Sequence, residues 1–231
     1  MNLKALVAEL IGTMLFVFVG IGSIAAADHA NQPGLVVAAL AHGIAIAVLA
    51  STFGAISGGH FNPAVTFAAW IGKKITLPNM IGYWIAQVLG AVIGAFMIRM
   101  AFLEVPMGNI NDGVPGVVGT LQASQAYILE GVGTFFLVLV VYGTAIDRRA
   151  PKMGALFIGL TITAVILAIG PLTGAAINPA RFLGPALVTN NMADMTMFLL
   201  APMIGGGLAG ALYAYFFADR EPEMPVSELA P

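Results

Sequence analysis

The sequence predicts an all-α polytopic membrane protein, six transmembrane helices plus two re-entrant half-helices in an inverted 3+3 repeat. Three observations carry that prediction. Of 231 residues, 59% are hydrophobic and only 9% are charged, where soluble domains carry about 25% charged residues. Apolar stretches that reach the roughly 20 residues needed to cross the hydrocarbon core occur six times along the chain. The triplet Asn-Pro-Ala occurs twice, at Asn62-Pro63-Ala64 and Asn178-Pro179-Ala180, in equivalent places of two similar halves.

In chain order the spans are expected at about 3–26, 35–56, 80–103, 125–146, 153–171 and 196–218. In lipid every backbone N–H and C=O must be satisfied internally, so a spanning segment is a helix or part of a closed barrel. Continuous apolar runs without strand-like alternation choose helices. The first run begins almost at Met1 and is too long for a signal-peptide core, so it is expected to stay as a span. Of the nine basic residues, Lys4, Lys73, Lys74, Arg148, Arg149, Lys152 and Arg220 fall on the side that holds the termini. That bias places both termini in the cytoplasm, in a multi-pass protein of the cell (plasma) membrane.

The two halves overlay. Glu9-Leu-Ile-Gly-Thr13 recurs 121 positions later as Glu130-Gly-Val-Gly-Thr134, Asn62 recurs 116 positions later as Asn178, and Gly90 115 positions later as Gly205. One channel domain over 1–218 is expected, with repeat one at about 1–104, a connecting loop at 105–124, repeat two at about 125–218, and a polar cytoplasmic tail at 219–231. Three spans per half is an odd number, so the second half enters the membrane from the opposite face. An inverted repeat of this kind places its site near the bilayer midplane.

Each triplet opens a short apolar run of its own, from Ala64 to Gly72 and from Ala180 to about Val188. At about 1.5 Å per residue such a run covers roughly half the hydrocarbon core. Asn is a good N-cap and Pro is tolerated in a first helical turn, where its missing N–H would have had no partner. Both triplets are therefore helix starts, and inversion makes the two starts meet at the centre. Two N-termini then bring about half a positive charge each, and the amides of Asn62 and Asn178 donate hydrogen bonds into a shared space. The carbonyls of Gly59, His60 and Phe61, and of Gly174, Ala175 and Ala176, supply acceptors along an otherwise apolar wall. Arg181 adds a full charge at a second constriction, and an arginine at that depth demands a polar setting.

Ser57-Gly-Gly-His-Phe-Asn-Pro-Ala-Val-Thr66 and Thr173-Gly-Ala-Ala-Ile-Asn-Pro-Ala-Arg181 resemble the two signature loops of the aquaporin (major intrinsic protein) family, and the likeness extends over essentially the whole chain. The resemblance implies a homotetramer in the lipid bilayer, each subunit with its own pore for water or small neutral solutes. It also implies an outer selectivity filter at His42, Ile166, Ala175 and Arg181. His42 with Ile166 is similar to the filter of tonoplast-type members. Glu9 and Glu130 resemble family glutamates that accept hydrogen bonds from the re-entrant loops, and His60 is expected to brace its own loop. Glycerol-conducting members carry an aspartate after the arginine and a basic residue four further on. Here those positions hold Phe182 and Ala186; Phe182 has no functional reading from sequence.

A passive water channel that excludes protons and ions accounts for these features. A channel for ammonia, hydrogen peroxide or glycerol alongside water shares the architecture and differs at the filter. A secondary transporter would need a coupling-ion site and mobile gates, and Glu9 and Glu130 are the only intramembrane acids available for one. The expectation is no enzyme, no catalytic residues, no cofactor and no metal, because no nucleophile–base pair, metal cluster or phosphate loop can be read. No basic tract points to nucleic acid. With no cysteine, disulfides and thiol chemistry are excluded, and mercurials have no thiol to block.

Overall fold

The computed structural model describes residues 2–102, 113–150 and 152–218. The expectations for 105–112 of the connecting loop, for Arg220 and for the tail at 219–231 lie outside the described residues. Eight α-helices form among the described residues: α1 Leu3–His29, α2 Gly34–Ser57, α3 Pro63–Ile71, α4 Leu77–Ala101, α5 Ala123–Val141, α6 Gly154–Thr173, α7 Pro179–Thr189 and α8 Met195–Leu212. α5 and α8 each continue through one π-helical turn, Tyr142–Ile146 and Tyr213–Phe217. Six of these helices are long and apolar enough to cross a membrane.

The span ends differ from expectation by a few residues, for readable reasons. α4 starts at Leu77 because Pro78 sits in its first turn behind the N-cap residue Thr76, a place where proline costs no hydrogen bond. α1 runs on past its apolar stretch through Ala27, Asp28 and His29, since a helix leaving the hydrocarbon can continue into water. The half-helices α3 and α7 have 9 and 11 residues, with proline at the first helical positions of both. α7 ends in the left-handed Asn190 at φ 56°, and the Arg99 guanidinium donates to the Val188 carbonyl there. A cation on the orphan carbonyls of a last turn is favourable placement. α3 is finished by tyrosines: the Tyr142 hydroxyl donates to Ala68 O at 2.7 Å and the Tyr215 hydroxyl to Ile71 O at 2.9 Å.

Packing repeats the sequence duplication. α1 lies against α2 and α4, as α5 lies against α6 and α8; α7 packs on α4 and α3 on α8, so each half-helix rests on a helix of the other half. Close approach depends on small residues. A Cβ on Gly90 would lie 2.2 Å from the Leu10 carbonyl oxygen, and one on Gly205 2.0 Å from that of Gly131. These pairs are the same contact written twice, and they place the small residues of α4 and α8 inside the subunit. α2 and α6 cross where a Cβ on Gly43 would meet Gly159 O at 2.5 Å and one on Gly159 would meet Gly43 O at 2.3 Å. Gly43 and Gly159 are equivalent positions, so the crossing brings a residue against its own counterpart. That is what a pseudo-twofold axis requires.

The helix surfaces away from this interior are apolar and open. Ile44, Val132 and Leu208 are exposed, which suits a lipid solvent as it would not suit water. Polar groups point inward: Glu9, Glu130, Gln87 and Thr66 are all fully buried.

Candidate functional site

Two loops lead into the half-helices, and their backbones match residue for residue. α2 ends in left-handed Gly58 (φ 90°) and α6 in left-handed Gly174 (φ 79°). Gly59 (φ 64°) corresponds to Ala175 (φ 47°), and Phe61 (φ 47°) to Ile177 (φ 41°). Left-handed backbone costs about 1–2 kcal/mol at a non-glycine residue, and β-branched Ile177 is the least suited of these. Such strain persists where surrounding contacts over-determine it.

Those contacts come from the two buried glutamates. Glu9 Oε1 accepts from the Ser57 hydroxyl at 2.6 Å and from the His60 amide at 2.9 Å, and Oε2 accepts from the Phe61 amide at 2.7 Å. Glu130 does the same with the Thr173 hydroxyl at 2.6 Å, the Ala176 amide at 3.0 Å and the Ile177 amide at 2.7 Å. Ser57 and Thr173 each accept in turn from a loop amide, that of Gly59 or Ala175, at 3.1 Å. Each loop is thus tied to its glutamate by a ladder of hydrogen bonds from one hydroxyl and two amides.

At the end of the ladders both asparagines act as N-caps. Asn62 Oδ1 accepts from the Ala64 amide at 2.9 Å, and Asn178 Oδ1 from the Ala180 and Arg181 amides at 3.0 and 3.2 Å. With the oxygen committed to N–H donors, the amide nitrogen must face the opposite half. Asn62 Nδ2 donates to Ile177 O and Asn178 Nδ2 to Phe61 O, both at 2.9 Å. The half-helices therefore meet N-terminus to N-terminus across the axis. Each amide nitrogen carries two N–H groups and spends one on the facing loop, which leaves one per asparagine.

A cavity of about 290 Å³ runs past this meeting point. His42, Ile166, Ala175 and Arg181 line it together with Asn62, Asn178, Gly59, His60 and Ala176, while Phe16, Ile46, Val65, Leu137 and Ile162 supply apolar wall. One liquid water takes about 30 Å³, so the space holds several. Gly174 lines a neighbouring cavity that shares Ile166 and Arg181. Phe61 is fully buried and its carbonyl is taken by Asn178. The Ile177 lining was not read from sequence; the register of Phe61 plus 116 was the signal that could have found it.

Two of the cavity-lining side chains have clear local causes for their placement. His42 Nδ1 lies 2.8 Å from Ala38 O; a carbonyl only accepts, so Nδ1 carries the hydrogen and a neutral ring is left with Nε2 as acceptor. The ring fits because Gly20 has no side chain, a Cβ there falling 2.4 Å from His42 Nε2. Arg181 is 4% exposed and donates from Nη1 to Gly113 O at 2.7 Å. Among the described residues no carboxylate stands within ion-pair distance of it, and the residue lines the cavity. His60 lies with Nδ1 3.1 Å from Thr66 Oγ1 and its ring edge-on to Tyr83. Phe182, unread from sequence, is fully buried and stacks on Phe198 with ring centres 4.7 Å apart.

Residues 1–213 match the family model described as major intrinsic protein. The chain is 40% identical over 238 residues to a probable aquaporin TIP-type RB7-5A of Nicotiana tabacum, covering 98% of this chain and 92% of that protein. Aquaporin TIP2-1 of Arabidopsis thaliana is 39% identical over 237 residues with the same coverage. Among solved structures, the aquaglyceroporin from Plasmodium falciparum superposes with a TM-score of 0.84 at 23% identity, over 98% of this chain and 99% of that one. That last likeness concerns the fold alone.

Proposed function

Because the chain belongs to the major intrinsic protein family, a family of channels and not of enzymes, we propose that it is a passive transmembrane water channel that excludes protons and ions. The observation that carries this reading is the pair of asparagine amides, each with one N–H spent across the axis and one left at the midpoint of a cavity with acceptors on both sides. A water there accepts from both amides. Its own hydrogens then point away towards the carbonyls of the two loops, so the hydrogen-bonded chain reverses direction at the centre and cannot relay a proton. The positive ends of α3 and α7 oppose hydronium and metal cations in the same place.

The remaining roles follow from this reading. His42, Ile166, Ala175 and Arg181 form the narrow outer filter, with Arg181 as the second barrier to cations. The carbonyls of Gly59, His60, Ala175 and Ala176 replace the hydration of passing water, joined by Gly174 at the mouth. Glu9 and Glu130 brace the loops. The lysine and arginine bias supports termini in the cytoplasm, the six long apolar helices support a multi-pass membrane protein, which we assign to the cell membrane, and the family supports a homotetramer of independent pores.

Stopped-flow light scattering on proteoliposomes tests the function. We expect fast osmotic shrinkage with a low activation energy under an impermeant sugar, and no rapid re-swelling under glycerol. Shrinkage no faster than in empty vesicles would remove the water channel. Rapid re-swelling would transfer the assignment to a small-neutral-solute channel.

A further inference from the structure

The two loops have the same shape but are not held the same way from behind. Behind the first loop stands a polar brace. Thr66 Oγ1 donates to Asn62 O at 3.0 Å and meets His60 Nδ1 at 3.1 Å, and Gln87 Nε2 reaches both Thr66 Oγ1 at 2.9 Å and Glu9 Oε2 at 2.8 Å. Tyr83 adds a hydrogen bond to Ser57 O at 2.8 Å. The register of the repeat puts Ala176 for His60, Phe182 for Thr66, Phe198 for Tyr83 and Pro202 for Gln87. None of the four can make the corresponding side-chain hydrogen bond. Glu130 consequently accepts three of the four bonds that Glu9 accepts, yet those three match their counterparts within 0.1 Å.

We propose that Phe182 is the positioning residue of the second loop: its ring, clamped against Phe198, holds Ala175 to Ile177 against the cavity by packing where the first loop is held by hydrogen bonds. The volumes support the exchange. A large His60 stands with a small Thr66 in one half, and a small Ala176 with a large Phe182 in the other. Phe182, Phe198 and Ala176 share one buried apolar cluster with Val114 and Ala201. Phe182 follows Arg181 in the chain, and Ala176, which shares its cluster, follows Ala175, so the ring is one residue removed from two of the four filter positions. Aromatic stacking of this kind is more stabilising than area burial alone, and it stands in for a hydrogen bond that buried apolar surroundings could not satisfy.

The inference rests on the water-channel reading only for its effect on passage; the positioning is tested separately. Wild type, Phe182→Leu and Phe182→Ala are compared as full chains in proteoliposomes, by hydrogen exchange of the peptides covering 173–181 and 57–64 and by the ratio of glycerol to water permeability. In Phe182→Ala we expect exchange at 173–181 to quicken roughly tenfold, as local opening becomes easier, with 57–64 unchanged. The glycerol-to-water ratio should rise, and Phe182→Leu, which keeps apolar bulk but loses the stack, should fall between wild type and Phe182→Ala in both. A variant that merely folds less well lowers both permeabilities together and leaves their ratio alone. Equal acceleration of both loops, no acceleration at 173–181, or a flat ratio despite local acceleration would each overturn the proposal. A wild type that passes no water would refute the channel reading, while the exchange comparison would still decide the positioning.

Discussion

Arg181 shows how much a single side chain can be asked to do. It is buried, held through one nitrogen by the Gly113 carbonyl, and lines the cavity. Replacement by valine removes a full charge, several donors and much of the bulk at one stroke. For Arg181→Val we expect glycerol to pass about tenfold faster, the effect of a barrier lower by about 1.4 kcal/mol, with water passage kept. Unaltered selectivity in a correctly assembled variant would place the filter elsewhere. The arginine was legible because its residue type and its place after Asn178-Pro179-Ala180 demand a polar setting. Ile177 was passed over although its counterpart Phe61 was named, because what it contributes is a backbone carbonyl, and only the register of the repeat, not its side-chain chemistry, marks it. Phe182 was illegible for a related reason: its meaning depends on which residues stand opposite it in the other half, and only packing brings them together.

Among the elements, the α2–α6 crossing is exacting on both sides. A Cβ on Gly159 would meet the Gly43 carbonyl oxygen, and one on Gly43 would meet both the Thr163 hydroxyl and the Gly159 carbonyl oxygen. Overpacking a core contact typically costs about 1–3 kcal/mol and more where backbone must move. We therefore expect Gly159→Val to lower the melting temperature in detergent by several degrees and to reduce the yield of folded protein. An unchanged melting curve would show that the crossing is looser than drawn. Element positions were largely readable from the sequence, since a bilayer leaves few choices for an apolar run and Asn-Pro marks a helix start. The ends were less so: α1 outlasts its apolar stretch by Ala27 to His29, and α4 begins ahead of its own, because termini are decided by proline placement and by water outside the hydrocarbon.

For the molecule as a whole, the large apolar side chains that face outward from the helix bundle are ones that lipid solvates as well as protein does. Exposure of Ile44 or Leu208 therefore argues equally for a lipid contact and for a subunit contact, and the homotetramer rests on the family. We expect native mass measurement of detergent-solubilised protein to give four chains of 23.8 kDa; a single-chain particle that still conducts water would remove tetramer formation as a requirement. The inverted architecture could be anticipated because an odd number of spans per half leaves no other topology. What could not be anticipated was that the halves solve their common loop geometry by different means.

The place where the halves differ follows from the axis itself. A residue that meets its own counterpart is subject to the rule of an isologous dimer interface: whatever it is, it must be complementary to itself. Gly43 with Gly159 satisfies that rule directly, and Asn62 and Asn178 satisfy it reciprocally, each donating to the residue before the other; a change at either position of a pair breaks a match that the other must answer. Residues behind the loops never meet their counterparts, so His60 with Thr66 and Ala176 with Phe182 are under no such rule. The chain thus behaves as a two-subunit assembly whose subunits were joined end to end, with self-matching obligatory along one line through the bilayer and independence permitted everywhere else.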